Sequence, residues 1–358
     1  MISGQIGILI SIVVYLVAMV YVGFYFSKQG SGDSTDEFYL GGRKLGPFVT
    51  AMSAEASDMS SWLLMGLPGV AYLTGIADAG WTAIGLGVGT YLNWLFVAKR
   101  LRRYSITCNA ITIPDFFSRR FRDDKNILMC ISALTILVFF IPYTASGFKA
   151  VGTLFSSLYQ VDYHVAMIIG AIVIVGYTVL GGFLAVSTTD LIQSIVMTLS
   201  LIIIVFYGIH LAGGWDAVVQ NASSMAGYLS MTQTHDRATN SASPYGFLTI
   251  VSTLAWGLGY FGMPHILVRF MAIRDPQEVK KSRNIAMIWV LISLSVAVCI
   301  GFTGAALYPN VAELAGNGNQ RIFIYMTTHL FKGLIPLFMA GIILSGILAA
   351  TMSTSDSQ

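Results

Sequence analysis

Residues 53–62 read SAEASDMSSW, and residues 256–264 read WGLGYFGMP. Each stretch places polar or helix-breaking residues inside a segment that is otherwise apolar, and the two stretches lie far apart in the chain. A bilayer offers no water to backbone groups that a broken helix leaves free, so irregular backbone at that depth must line a protein cavity. Paired interruptions in two halves of a chain are typical of a transporter's binding site. The sequence therefore predicts a membrane-embedded binding site built from these two stretches.

The composition is typical of a membrane protein. Hydrophobic residues make up 55% of the chain and charged residues 10%, with a mean hydropathy of +0.72. A soluble domain carries about 25% charged residues, so no sizeable water-soluble domain is expected. The sequence contains no motif for phosphate binding, zinc proteolysis or a nucleophile elbow, which predicts that the protein is not an enzyme. Three cysteines without metal-like spacing are read as small apolar residues: Cys108, Cys130 and Cys299.

Nine segments are long and apolar enough to cross a bilayer, which requires about 20 apolar residues. The fourth is expected to be tilted or bent, since it contains Pro142 and Gly147. The predicted spans are 6–26, 47–71, 76–98, 127–157, 164–183, 187–211, 245–271, 285–308 and 334–356.

The basic residues predict the orientation of these spans. Fifteen of the 20 lysines and arginines fall in the three connections that follow the first, third and seventh spans, all on one side of the membrane. Because positive loops remain cytoplasmic, the N-terminus is predicted outside, in a multi-pass protein of the cytoplasmic (plasma) membrane. The basic connection 99–126 also contains apolar residues and is expected to be partly amphipathic. The outer connection 212–244 is expected to be loosely structured.

The span order predicts an inverted repeat. The two interrupted spans are the second and the seventh, and an offset of five reverses their direction through the membrane. The first five-helix repeat is predicted over 47–211, an incomplete second repeat over 245–358, and an extra N-terminal span over 6–26. Since a second repeat of five helices would need about two more, a C-terminally truncated transporter domain is expected.

The first interruption concentrates oxygen ligands. Asp58 lies near the middle of the second span, where an acid costs about 2.5 to 3.5 kcal/mol on insertion scales. Hydroxyl and free carbonyl oxygens suit a small hard cation, so sodium or a proton is favoured over zinc or copper. The alternative is that Asp58 caps a helix fragment or pairs with a basic side chain. The surrounding hydroxyl groups belong to Ser53, Ser57, Ser60 and Ser61.

Glu55 precedes Asp58 by three residues and shares a similar helical face. Two readings remain open for it. Glu55 either faces Asp58 inside the protein, or it lies nearer the cytoplasmic mouth in water.

Two later segments complete the candidate site. Residues 348–357 are small and rich in hydroxyl groups, which either supply ion ligands or serve helix packing. Trp256, Tyr260 and Pro264 recur at intervals of four residues and either line a solute pocket or form a core stripe. Tyr143, next to the Pro142 bend, would add a hydroxyl group to the pocket. His265 is expected to be a hydrogen-bonded packing residue.

Several motifs in fixed order resemble the sodium/solute symporter family and, within it, the sodium/proline branch. The resemblance runs from the first span to Gln358. The motifs are Tyr39-Leu40-Gly41-Gly42-Arg43, Ser57-Asp58-Met59-Ser60, Trp62 to Gly69, Gly257-Leu258-Gly259-Tyr260-Phe261-Gly262 with Pro264-His265-Ile266-Leu267, and Leu348-Ala349-Ala350 with Met352-Ser353-Thr354.

The resemblance implies a LeuT-like inverted-repeat core, all helical, preceded by one extra helix. It implies a sodium ion between the second and ninth spans, held by three carbonyl groups and two hydroxyl groups. It assigns ion–substrate coupling to Asp58 and Ser60, and links Arg43 and Asp190 to cytoplasmic gating and sodium dependence. The implied sodium ligands are Ala56, Met59, Ala350, Ser353 and Thr354. The implied proline pocket consists of Tyr143, Trp256, Tyr260 and Pro264.

Three positions depart from the family pattern, namely Glu55, Ser61 and Met263, and they bear on substrate detail rather than on the fold. The predicted function is sodium-coupled import of L-proline by alternating access, with sodium as the co-transported ion. Neither nucleic acid nor an obligate protein partner is expected. The alternatives are a sodium symporter for another small solute, such as pantothenate, a sugar or a monocarboxylate, and a solute-sensing membrane module.

Overall fold

The computed structural model describes residues 2–29, 35–331 and 333–358, and most of them are helical. The α-helices of these ranges, in chain order, are α1 Ile2–Gln29, α2 Thr35–Leu40, α3 Pro47–Met59, α4 Gly66–Thr74, α5 Ile76–Asn93, α6 Lys99–Thr107, α7 Ile113–Phe121, α8 Ile127–Tyr159, α9 Tyr163–Leu211, α10 Trp215–Ser224, α11 Phe247–Leu254, α12 Pro264–Ala272, α13 Val279–Leu307, α14 Ile322–Leu330 and α15 Leu334–Ser355.

Shorter elements connect these helices. A π-helical segment, Trp94–Ala98, joins α5 to α6. The described strands, β1 Gln233–Asp236 and β2 Ser241–Pro244, form an antiparallel hairpin between α10 and α11. The 3-10 segments are Gly41–Arg43, Ser61–Leu63, Ala255–Gly262, Ala312–Leu314 and Gly316–Arg321.

The first predicted interruption is confirmed. Helix α3 ends at Met59, and Ser60 adopts φ 47° and ψ −176°, which turns the chain out of the helix. The Ser60 hydroxyl then accepts the backbone N–H of Trp62 at 3.1 Å, so a side chain replaces a helical acceptor. Gly66 begins α4 directly against the Trp62 ring, where any Cβ atom would lie only 2.2 Å from a ring carbon.

The second predicted interruption is also confirmed. Helix α11 passes into the 3-10 segment Ala255–Gly262, and Met263 is extended before Pro264 opens α12. The axes on the two sides of this break differ by 47°. Proline cannot donate an N–H to the preceding turn, which explains why a new helix begins at Pro264.

The predicted spans correspond to helices of unequal length. Five described helical segments are long and apolar enough to cross a membrane, and the bent pair α11–α12 gives a sixth. The other three predicted spans contain shorter or broken helices, so the count of nine remains a prediction. Predicted spans 164–183 and 187–211 form the single element α9, which is broken at Gly182 by φ 62°. Pro142 lies inside α8, which is helical on both sides of it.

The outer connection 212–244 is ordered, and the prediction of a loose structure was wrong. It contains α10 and the β1–β2 hairpin, and Tyr228 is fully buried against the helix ends beside it. The Tyr228 hydroxyl donates to the Ala71 carbonyl at 2.6 Å, and the backbone N–H of Ile76 donates to the Tyr228 carbonyl at 2.8 Å. The sequence signal was misleading because small polar residues also suit a tight hairpin.

Helix α3 lies at the centre of the packing that positions the site. It contacts α9, α12, α13 and α15, while α1, α9 and α15 pack against one another. Every residue from Thr50 to Met59 is buried. From Thr50 to its broken end, α3 is therefore enclosed by four other helices.

Candidate functional site

The end of α3 presents carbonyl oxygens that have no acceptor role within the helix. The last four carbonyl groups of any helix lack an intrahelical donor, and in α3 these begin at Ala56. The Ser353 hydroxyl of α15 donates to the Ala56 carbonyl at 2.8 Å, and the Thr354 hydroxyl lies 3.5 Å from the same oxygen. The Ser353 hydroxyl also lies 3.3 Å from the Ala350 carbonyl. Four of the five predicted sodium ligands are thus together, and the fifth, Met59, is the buried last residue of α3.

Asp58 is surrounded by hydroxyl groups rather than by a cation. Asp58 and Tyr260 line one cavity. The Asp58 backbone carbonyl accepts the Tyr143 hydroxyl at 3.1 Å, and Ser60 lines the same cavity as Tyr143. No ion pair of the described ranges includes Asp58. The alternative pairing with a basic side chain is not observed in these ranges, although Lys149 lines the same cavity as Asp58.

A cavity of about 280 Å³ opens above this cluster. The rings of Trp62 and Trp256 lie 4.9 Å apart in its wall. Three of the four predicted pocket residues line it, together with Asp58 and Ser60. They are Tyr143, Trp256 and Tyr260.

A second cavity of about 420 Å³ contains the fourth predicted pocket residue, Pro264. Its lining includes Phe38 and Thr112 from the connections rich in basic residues, whereas the first cavity includes Gln320 from the opposite connection. The predicted span order places these two sets of connections on opposite sides of the membrane. The structure does not bring Pro264 into one cavity with the three aromatic residues.

A buried ion pair lies beside the second cavity. The Arg269 guanidinium of α12 is 2.9 Å from the Asp190 carboxylate of α9, and both side chains are almost fully buried. The Ser53 hydroxyl donates to that carboxylate at 2.6 Å and accepts the Arg269 Nε–H at 2.8 Å. Arg269 was not predicted as a site residue. Its signal was available, since it is the only charged residue in the apolar segment 245–271.

Serines connect the ion pair to the end of α3. Arg269 donates to the Ser357 hydroxyl, and that hydroxyl donates to the Ser353 carbonyl at 2.6 Å. The Ser353 hydroxyl contacts the Ala56 carbonyl, as described above. A continuous polar chain therefore runs from Asp190 to the cluster of predicted sodium ligands.

Hydrogen bonds from Arg43 link the 3-10 segment Gly41–Arg43 to the end of α12. Its guanidinium donates to the Ala110 carbonyl at 2.7 Å, the Met271 carbonyl at 3.2 Å and the Ser105 hydroxyl at 3.0 Å. Arg43 and Asp190 thus act on α12 at nearby points, the first through Met271 and the second through Arg269.

The structure settles two further questions about buried polar residues. Glu55 is only 3% exposed and accepts the Trp94 Nε1–H at 2.9 Å, so it does not lie in water at a mouth. His265 is packed edge-on against Phe140 at 5.5 Å, as expected of a packing residue. The expected hydrogen bond is not formed, because neither ring nitrogen of His265 has a partner in the described part of the chain.

The family model and the most similar sequences found in comparisons with known proteins point to one family. The family model described as "Sodium:solute symporter family" matches residues 38–358. Sodium/proline symporters of Staphylococcus aureus strains JH9 and NCTC 8325 are each 41% identical over 350 residues, which is 98% of this chain. The chain spans about 65% of the length of these relatives.

A solved structure shares the fold. It is described as the substrate-bound outward-open state of a Na+-coupled sialic acid symporter with a novel Na+ site. It superimposes with a TM-score of 0.77 over 98% of this chain and 70% of that chain, at 18% identity. At this identity the likeness establishes the fold alone.

Proposed function

Because the chain belongs to the sodium:solute symporter family, we propose that it couples the inward movement of sodium to that of a small solute by alternating access. It is a multi-pass membrane protein. The single observation that carries the proposal is the hydrogen bond from the Ser353 hydroxyl of α15 to the Ala56 carbonyl at the break of α3.

Sodium is proposed to bind between α3 and α15. The ligands are the carbonyl oxygens of Ala56, Met59 and Ala350 with the hydroxyl oxygens of Ser353 and Thr354. These are hard, neutral oxygen donors, which suit a monovalent hard cation. The Ala56 carbonyl accepts the Ser353 hydroxyl now and would coordinate sodium when the ion binds. The buried carbonyl oxygen would therefore have a partner in both states.

Coupling is proposed to run along the last turn of α3. Sodium at Ala56 fixes that turn, and the same turn positions Asp58 and Ser60 at the floor of the first cavity. Tyr143 donates to the Asp58 carbonyl, and Tyr260 lines the same cavity as Asp58 and Ser60. By linkage, substrate tightens sodium binding by the same factor by which sodium tightens substrate binding.

L-proline is the proposed substrate, carried in the first cavity by Tyr143, Trp256 and Tyr260. Support comes from the names of the Staphylococcus aureus relatives and from a small cavity walled by aromatic rings with a carboxyl group in its floor. Sodium entry releases about 2.3 kcal/mol per 100 mV, which exceeds the about 1.4 kcal/mol needed for tenfold accumulation. Another small solute is the second candidate, because 41% identity leaves cavity side chains free to differ.

Release is proposed through the second cavity, past Pro264. Arg43, Asp190 and Arg269 hold α12 at that side and would control its movement. The proposed halves are the repeat 47–211 and the repeat that begins at 245. The connections rich in basic residues are proposed to face the cytoplasm, with the N-terminus outside.

The proposal is tested by comparing two serine variants of α15. Ser353→Ala removes a hydroxyl group from the proposed ion site, whereas Ser345→Ala removes one that bonds only its own helix, at the Gly341 carbonyl. In proteoliposomes, Ser353→Ala should raise the sodium concentration for half-maximal [14C]proline uptake by about tenfold or more, the loss expected of one good ligand. Ser345→Ala should leave it unchanged. Uptake without sodium, or equal effects of the two variants, would contradict the proposal.

A further inference from the structure

The helix that follows each break ends against an arginine from another part of the chain. Helix α4 follows the first break and α12 follows the second. The last carbonyl groups of a helix have no donor within it. An arginine side chain suits them twice, as a hydrogen-bond donor and as a cation at the negative end of the helix. Arg237 has this position at the end of α4, and Arg102 has it at the end of α12.

Arg102 of α6 holds the backbone directly after α12. Its side chain is buried, and its guanidinium donates to the carbonyl groups of Ile273 and, at 3.2 Å, of Arg274. The two carbonyl groups before these accept donors from segment 41–45. Four consecutive carbonyl groups at the end of α12 are therefore held from outside the helix.

Arg237 of the outer hairpin joins the end of α4 to the chain beyond α13. Its Nη1 donates to the Tyr72 carbonyl at 2.6 Å, and its Nε donates to the Pro309 carbonyl at 3.0 Å. The guanidinium carbon also lies 4.0 Å from the centre of the Tyr72 ring. The hydroxyl group of that tyrosine donates to the Tyr308 carbonyl at 2.8 Å. Arg237 thus completes a set of contacts between α4 and the end of α13.

The two arginines hold helices that border different cavities. Gly66, the first residue of α4, lines the first cavity, and Val268 of α12 lines the second. Arg237 belongs to the outer connection 212–244 and Arg102 to the basic connection 99–126, which the predicted span order places on opposite sides of the membrane. Each arginine therefore holds one wall of one cavity, at the side to which that cavity belongs.

We propose that Arg102 and Arg237 are positioning residues that keep the second and the first cavity closed, respectively, and that losing the contacts of one opens its own cavity alone. This inference rests on the alternating access proposed above and adds the groups that hold each side. Both sets of contacts lie in connections rather than within spans. Water can therefore satisfy the carbonyl groups when the arginine leaves them, so the contacts can break and re-form.

The test measures the opening of each cavity through a cysteine in its wall. In a variant in which serine replaces the native cysteines, Leu86→Cys reports on the first cavity and Val186→Cys on the second; both native side chains are buried. The rate of reaction with a water-soluble maleimide is measured on the purified chain. Arg102→Gln should raise the rate at Val186→Cys about tenfold, the shift expected from losing one charge-assisted hydrogen bond, and should not raise that at Leu86→Cys. Arg237→Gln should do the reverse.

Two neighbouring arginines provide matched controls. Arg103→Gln on α6 and Arg321→Gln on the outer side remove exposed guanidinium groups that donate no hydrogen bond within the described ranges, so neither should raise either rate. An equal rise at both cysteines in Arg102→Gln or in Arg237→Gln would indicate general loosening of the fold and would overturn the proposal. Rates that stay at the level of the controls would overturn it as well.

A further variant covers the case in which Arg102→Gln does not fold. Arg102→Lys keeps the charge but lacks the planar fork that reaches two carbonyl groups, so it should still raise the rate at Val186→Cys selectively, by about threefold. No selective rise in this variant would refute the role of Arg102. Because the labelling needs no transport, that result would leave the proposed symport standing. A failure of sodium-coupled uptake would, conversely, leave the labelling result intact.

Discussion

At the scale of single residues, the candidate site depends on carbonyl oxygens that have lost their helical partners. Ser353 of α15 supplies a donor for the Ala56 carbonyl, and Tyr143 of α8 supplies one for the Asp58 carbonyl. Buried carbonyl groups without partners are costly, so these two contacts stabilise the broken end of α3. They are also the contacts that a bound cation would rearrange.

The buried ion pair gives a prediction at this scale. Asp190→Asn or Arg269→Gln alone should destabilise the protein by about 3 to 5 kcal/mol, because each leaves a buried partner uncompensated. The double variant should cost less than the two single variants together. Thermal unfolding of the four proteins in detergent measures this. Additive losses would contradict the prediction, and Arg274→Gln, which breaks an exposed pair with Glu278, should leave the melting temperature nearly unchanged.

At the scale of elements, the second break is held by close backbone packing against α5. An ideal Cβ atom on Gly89 would lie 2.3 Å from the Gly257 carbonyl oxygen, and one on Gly257 would lie 2.0 Å from the Gly85 carbonyl oxygen. The glycines of the 3-10 segment Ala255–Gly262 were expected only to loosen a helix. The structure gives Gly257 a further role, which is contact between backbones.

Two glycines of α5 provide a matched test of that contact. Gly89→Ala should destabilise the protein by about 1 to 3 kcal/mol, because the new methyl group overlaps the backbone at Gly257. Gly87→Ala should instead be neutral or stabilising by up to about 1 kcal/mol, because nothing lies within 4 Å of its Cβ position and alanine favours helix. The melting temperatures of the two purified variants, compared with that of the unmodified chain, measure this difference in stability. Similar losses for both variants would argue against backbone contact as the cause.

At the scale of the whole molecule, two cavities border the helix breaks, and the predicted span order places their connections on opposite sides of the membrane. The first is reached from the side of Gln320 and the second from the side of Thr112. The predicted fold class, an all-helical LeuT-like transporter core, is confirmed by the likeness to the Na+-coupled sialic acid symporter. A broken helix between two such cavities is the arrangement that alternating access requires.

The proposed orientation predicts opposite labelling of two exposed positions. In a variant in which serine replaces the three native cysteines, Lys125→Cys lies on the side of the basic connections and Ser223→Cys on the side of α10. A membrane-impermeant thiol reagent added to intact cells should label Ser223→Cys only, and added to inside-out vesicles should label Lys125→Cys only. Labelling of both positions from one side would contradict the orientation.

Particular residues show how far the sequence could predict this arrangement. The breaks at Ser60 and at Pro264 were predictable because serine, glycine and proline interrupt an apolar helix for local reasons. The meeting of Ala56 with Ser353 was predictable only through the family resemblance, since nothing local brings residues 297 positions apart together. The pairing of Arg269 with Asp190, the contact of Glu55 with Trp94 and the order of the outer connection were missed.

The sequence by itself determined that this is a helical membrane protein with two broken spans, because hydropathy and backbone propensity are properties of short segments. Only the tertiary structure decided which oxygen atoms share one site, that Pro264 lies apart from the aromatic cavity, and that His265 has no hydrogen-bond partner among the described residues. These outcomes depend on how helices far apart in the chain pack side by side. Such packing depends on how well the helix surfaces fit together and on whether buried polar groups find hydrogen-bond partners across the whole fold. No single segment of the sequence determines it.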